Sequence, residues 1–180
     1  MWIQRRTRMS NLTLSLDAST SVTGWAVFNG STLVQSGAIK PKSKSKTFYE
    51  RGRLMTNELK MIQLRAIESY KKPFDYIVIE KNNVMGPNQQ SMMSIGIVTG
   101  MILSRLVADE VYFVNVSTWR KHWKFSYKDC SKKSMKKQSI ETVEREFNKT
   151  VKDDEADAIL IGSYFVNGGL ESGKLEHHSN

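Results

Sequence analysis

Leucines at positions 12, 14 and 16 alternate with polar residues and run into Asp17, a period of two that predicts a strand. After a turn of small residues, Thr23 to Phe28 predicts a second strand. Asn29-Gly30 is a strong hairpin signal, and residues 32–39 return as a third strand. The basic stretch 40–46, KPKSKSK, reads as a linker. From about Thr47 to Tyr70, the residues Phe48, Met55, Leu59, Ile62 and Ala66 keep a helical period, and Lys71-Lys72-Pro73 ends it.

The pattern then changes character. Residues 75–80, DYIVIE, form a short apolar run that predicts a buried parallel strand ending in a carboxylate. The stretch KNNVMGPNQQ is a loop, and Ser91 to Val107 predicts a helix apolar nearly all round. Val111 to Val116 predicts another strand, followed by a short aromatic segment over 117–125. A Lys-rich segment over 126–139 leads into a helix ending near Phe147, and a last helix spans about Asp153 to Val166. Strands first, then alternating helices and strands, predict an α/β layout with a mixed sheet covered by helices. No internal repeat or dividing linker is present. The expected organisation is a leader over 1–11 (with Met9 as a second start), one domain over 12–167, and a flexible polar tail over 168–180.

Charge narrows the class of partner. The chain of 180 residues carries 27 Lys+Arg against 18 Asp+Glu, a formal net charge of +9. Such an excess points to a polyanion, either nucleic acid or an anionic membrane surface. Cys130 is the single cysteine, which excludes an intramolecular disulfide and a cysteine-rich zinc site and suits a reducing cytoplasm. His122, His177 and His178 do not stand at metal-ligand spacing with it. The longest apolar stretch, Ile95 to Leu103, is far shorter than a membrane span.

Three acidic positions stand where chemistry is expected. Asp17 and Glu80 close two strands, and Asp153, Asp154 and Asp157 open the last helix, where Asp157 shares a face with Asp153 or Asp154. Carboxylates beside buried strands are costly unless something pairs with them. Converging on divalent cations is one solution, because Mg²⁺ takes hard oxygen ligands and a pair of ions can serve phosphodiester hydrolysis. The ordinary alternatives also stand on the residues alone: acids at a helix start cap it, Asp153 above all, and acids at strand ends are commonly solvated.

The motifs add a resemblance. LSLDASTSVTGWAVF is similar to the first strand pair of the RuvC-type Holliday junction resolvases: an Asp, a small-residue turn, then Thr-Gly-aromatic. DYIVIE resembles their second acidic strand, and DDEADAILIG resembles their last helix. The three follow the family's order and span about Leu12 to Phe165. Ala18-Ser19 stand where bacterial members have Pro-Gly, which is closer to the phage forms. The resemblance implies an α/β, RNase H-like fold with a mixed five-stranded sheet flanked by helices. It also implies a Mg²⁺-dependent endodeoxyribonuclease, with Mn²⁺ able to substitute and two ions per active site, acting as a homodimer that makes paired nicks in four-way junctions and other branched DNA. Asp17 would then bridge both ions, Glu80 and Asp157 would each hold one, and Asp154 would complete the site.

The same resemblance assigns a DNA-binding surface. Asn83 stands where bacterial members carry an aromatic wedge, with Met85 as the nearby apolar candidate for that role. Arg120 and Lys121 fall near the family's basic positions, as does Lys137. Lys132, Lys133 and Lys136 lie around them, interleaved with Trp119, Trp123, Phe125 and Tyr127. Lysines there would neutralise phosphates, or they form a solvated face with the aromatics tucked into the core. Gly96 and Gly100 share one helix face, either for tight packing on the protein's own sheet or for a dimer interface, which the resemblance favours. Two rival readings are an actin-like or sugar-kinase-type ATP-binding domain and a non-catalytic branched-DNA-binding protein. A third is an RNase H-like nuclease acting on flaps, forks or hybrids. The expected location is the cytoplasm, of the host if the gene is a phage's, with no membrane partner.

Overall fold

The computed structural model describes residues 10–42, 47–81, 89–169 and 176–177. Five strands of seven or eight residues build one sheet: β1 (Leu12–Ala18), β2 (Thr23–Asn29), β3 (Thr32–Ile39), β4 (Phe74–Lys81) and β5 (Ala108–Asn115). A two-residue β6 (Glu176–His177) adds to its edge, in a segment for which the sequence predicts no element. The order is β3-β2-β1-β4-β5-β6. The β1–β2, β2–β3 and β5–β6 pairs are antiparallel, whereas β1–β4 and β4–β5 are parallel, so the sheet is mixed as expected.

Helices cover both faces. On one side, α1 (Phe48–Tyr70) and α2 (Gln89–Leu103) pack on Leu12, Leu14, Leu16, Ile77 and Ile79 through Met55, Leu59, Val98 and Ile102. On the other lie α3 (Val116–His122), α4 (Lys132–Phe147) and α5 (Asp153–Tyr164), packed on Ala26, Phe28, Val78 and Val114. After α5 the chain turns through Phe165–Gly169 with Gly168 at φ +109°.

Several boundaries have local causes. Thr47 caps α1 in a reciprocal pair with Glu50, and Lys71 closes it in the left-handed conformation. The second helix stops at Leu103, short of the expected Val107, because buried Gln63 clamps Val107 instead. Its Nε2 donates to the Val107 carbonyl at 2.5 Å, and its Oε1 accepts from the Val107 amide at 3.1 Å. The Lys-rich segment turns helical at Lys132, where the Ser131 hydroxyl accepts from the Ser134 amide.

The period of two in β1 has an unexpected outcome. Its polar members are buried too: Thr13 and Ser15 face α5, and the Ser15 hydroxyl donates to the Ala158 carbonyl at 2.7 Å. A side chain at Gly162 would overlap Ser15 and Phe28, so the missing Cβ lets α5 lie close on β1 and β2. Asp17 shares the Ser15 face by strand alternation and is therefore aimed beneath α5. Glu80 follows in the same way from Val78, which packs on the α5 side of β4.

Candidate active site

The parallel register of β1 and β4 pairs Leu16 with Ile79, so the next residues, Asp17 and Glu80, end neighbouring strands side by side. On the other side of Asp17, the antiparallel register sets Gly24 of β2 opposite it. A Cβ at Gly24 would overlap the carbonyl oxygen of Asp154, and the bare backbone there lets the first turn of α5 rest on the sheet. This brings Asp154 and Asp157 into the electrostatic field of Asp17, and Asp157 into that of Glu80.

Burial pushes the Asp17 carboxyl well above its ordinary range, and the charges of Glu80, Asp157 and Asp154 push it further. Glu80 is pushed up to about 7 by burial and Asp157. Asp157 is pushed up to about 6 chiefly by burial, although the Ser139 hydroxyl and the Arg120 charge pull the other way. Asp154 is raised by burial and by Asp153, against Lys136 and Lys40. Asp153 differs: burial raises it, but its hydrogen bond and ion pair with Lys136 prevail and hold it below the usual range.

Two fully buried donors hold the strand and helix acids. The Trp119 indole Nε1 donates to Glu80 Oε2 at 3.0 Å, and the Ser139 hydroxyl donates to Asp157 Oδ1. Arg120 lies with its guanidinium 5.0 Å from the centre of the Trp119 ring, and its Nε is buried without a hydrogen-bond partner among the described residues. Its charge lowers Asp17, Glu80 and Asp157 alike. The first turn of α5 is braced from outside by Glu155, which accepts from Ser36 at 2.7 Å and pairs with Lys149 at 2.9 Å.

Hard oxygens gathered in a field that opposes their own ionisation fit a divalent cation, which would supply the missing positive charge. Among the described residues no Lys or Arg forms an ion pair with Asp17, Glu80, Asp154 or Asp157. Nor do any three described His, Cys, Asp or Glu side chains stand close enough to form a ready-made cage.

A family model described as Lactococcus phage M3 protein matches residues 9–167. The chain belongs to that family. No curated protein matches it significantly. Among solved structures, this Lactococcus phage M3 family chain is similar to Thermus thermophilus RuvC in complex with Holliday junction substrate. The TM-score is 0.64 at 12% identity, over 93% of this chain and 99% of that one. A second Thermus thermophilus RuvC structure gives a TM-score of 0.61 at 13% identity, over 93% of this chain and 99% of the other. The Fowlpox virus resolvase in complex with substrate Holliday junction DNA gives 0.50 at 19% identity, over 88% and 99%. The expected resemblance to the RuvC type thus holds in the fold, an RNase H-like mixed sheet flanked by helices.

The remaining expected positions of the M3 family chain divide. Asn83 and Met85 lie outside the described residues. Lys121, Lys132, Lys133 and Lys137 are exposed, with Lys137 3.5 Å from Glu141. Lys133, Lys136 and Lys137 line an open groove on α4 that reaches Asp153. Arg120 turns toward the carboxylates. Trp119 and Phe125 are core residues rather than surface aromatics, while Tyr127 is exposed. A Cβ at Gly96 or Gly100 would meet nothing within 4 Å, so neither glycine serves packing on the protein's own sheet. Among the described residues no helix is long and apolar enough to cross a membrane.

Trp119, Ser139 and Gly24 were not assigned to the site from sequence. Ser139 had a signal: it stands four residues from both Met135 and Val143, on the stripe of α4 that faces the core. A small polar residue on an apolar stripe asks for a buried partner.

Proposed function

We propose that this chain is a metal-dependent endonuclease that resolves Holliday junctions, and acts on other branched DNA, by making paired nicks. The observation that carries this reading is that Asp17 and Glu80, at neighbouring strand ends, share one buried electrostatic field with Asp154 and Asp157 at the start of α5, which Gly24 lets rest on the sheet. The fold shared with resolvases studied on junction DNA supports the substrate class.

In this reading Asp17, Glu80, Asp154 and Asp157 hold two Mg²⁺ ions, with Mn²⁺ able to substitute. Bound there, such ions supply an activated water and stabilise the leaving oxygen. The chain's own residues do the rest. Trp119 and Ser139 fix two of the acids. Arg120, whose charge bears on Asp17, Glu80 and Asp157, is the cation we assign to the scissile phosphate. Lys121, Lys132, Lys133, Lys136 and Lys137 hold the DNA backbone, which positions the arms without reading their sequence. Asn83 and Met85 are the residues we assign to the junction centre. A homodimer supplies two sites related by the same two-fold symmetry as the two cuts. The enzyme works in the cytoplasm.

The test is a panel of end-labelled four-way, three-way, flap and RNA–DNA hybrid substrates with Mg²⁺. Paired, symmetry-related nicks in the four-way junction are expected. Cleavage of hybrids alone, or ATP binding without any cleavage, would overturn the reading.

A further inference from the structure

Two acids of the site are each tied by a buried neutral donor, and the Ser139 hydroxyl also lies 3.2 Å from the Met135 carbonyl one turn back on its own helix. Trp119 and Ser139 have no exposed surface, and they come from different helices, α3 and α4. Each donor takes a single oxygen: Oε2 of Glu80 for Trp119, Oδ1 of Asp157 for Ser139. The other oxygen of each carboxylate is left outside that bond. The backbone already fixes where the two acids start, at the end of β4 and on the first turns of α5. The hydrogen bonds therefore add control over the rotation of each carboxylate plane.

Rotation decides how a carboxylate meets a cation. Chelation by both oxygens requires the plane to face the ion, a mode common for Ca²⁺ with its six to eight ligands at about 2.3–2.6 Å. Mg²⁺ demands near-octahedral geometry at about 2.0–2.1 Å and takes carboxylates through one oxygen while keeping waters. A carboxylate whose second oxygen is anchored to a buried donor is preset for the one-oxygen mode. Outer partners of this kind are worth roughly 10–100-fold in metal affinity.

We propose that Trp119 and Ser139 are positioning residues that hold Glu80 and Asp157 as one-oxygen ligands and so make the site select Mg²⁺ over Ca²⁺. This rests on the metal-dependent reading above. The selectivity is carried by two neutral donors outside the ligand set, and neither bears a charge whose loss would alter attraction for both cations alike.

The experiment needs no DNA and no turnover. The full chain, Ser139→Ala and Trp119→Phe are titrated separately with Mg²⁺ and Ca²⁺, and apparent affinities are read from the rise in melting temperature above each protein's own metal-free value. For Ser139→Ala the Mg²⁺ affinity is expected to fall by about 10-fold or more, with Ca²⁺ affinity nearly unchanged or improved. Trp119→Phe is expected to move the ratio in the same direction, and Ser139→Ala alone decides if the tryptophan variant does not fold. Equal losses for both ions, or an unchanged ratio, overturn the proposal while leaving metal dependence intact. A wild-type protein that responds to neither ion overturns the metal-dependent reading and this proposal with it.

Discussion

Gly24 and Asp154 touch through their backbones: a side chain on the first would occupy the carbonyl oxygen of the second. Gly24 also sits opposite Asp17 in the β1–β2 ladder, so one bare position sets the distance between the strand acid and the helix acids. Gly24→Ala should push the first turn of α5 off the sheet. Overpacking of this sort costs about 1–3 kcal/mol, while a displacement near 1 Å at a reacting centre costs about 100-fold in rate. Cleavage should therefore fall by about two orders of magnitude in a protein that still folds and still binds junctions, as gel shift and melting curves would record. Normal cleavage by this variant would show that α5 is not held there.

The raised carboxyls make a prediction about pH. An acid whose folded-state value lies above its unfolded value binds more protons when folded. Its contribution is neutral at low pH and becomes a loss of stability as pH rises between the two values. For Glu80 that window runs from 4.5 to about 7. In EDTA, the melting temperature of Glu80→Gln minus that of wild type should grow through this window and then level off. Millimolar Mg²⁺ should shrink the difference by stabilising wild type more than the variant, which keeps fewer ligands. Asp17→Asn, Glu80→Gln and Asp157→Asn should each abolish cleavage while junction binding persists. A melting difference that falls with rising pH would remove Glu80 from the buried cluster.

The lysines of α4 should govern salt dependence unequally. Each phosphate contact contributes a log–log slope of about −0.9 on duplex arms. Lys136 is already paired with Asp153, and Lys137 stands near Glu141, so both must leave a protein partner to take a phosphate. Replacing Lys132, Lys133, Lys136 and Lys137 together by Gln should flatten the slope by about 2 rather than the full value for four contacts. An unchanged slope would put the phosphate track elsewhere on the surface.

Gly96 and Gly100 face open space on α2, beside the exposed Met93 and Ile97. Leucine at both positions costs the protomer nothing sterically and favours the helix. The double variant should therefore melt no lower than wild type. If this face joins two copies, it should sediment as a weaker dimer at micromolar concentration and make its two nicks independently. Retention of a tight dimer would exclude this helix face as the seam.

Much of this arrangement was legible in the chain because it rests on local rules. Thr47, Glu50 and the Asn29-Gly30 turn fix boundaries within a few residues of themselves. The alternation of β1 and the apolar run of β4 give each acid its place at a strand end. What escaped depends on which side of a strand or helix meets which neighbour. Trp119 lies among lysines in the sequence, a setting that leaves both a DNA surface and the core open to it; its ring is wholly enclosed, and nothing in the sequence shows that its N–H serves Glu80. Arg120 escaped for the same reason, since a cation next to lysines gives no sign that it faces acids. The burial of Thr13 and Ser15 was hidden because their polarity suggests solvent, whereas it is their small size that admits α5.

The docking of α5 against β1 also has a temporal meaning. The first strand acid is made early and the helix acids near the end, with the lysines of α4 in between. A chain still emerging from the ribosome thus carries its basic helix before it owns a complete set of carboxylates. Synthesis order thus withholds the full acidic cluster until α5 has left the ribosome: Asp17 and Glu80 wait on their strands for Asp154 and Asp157.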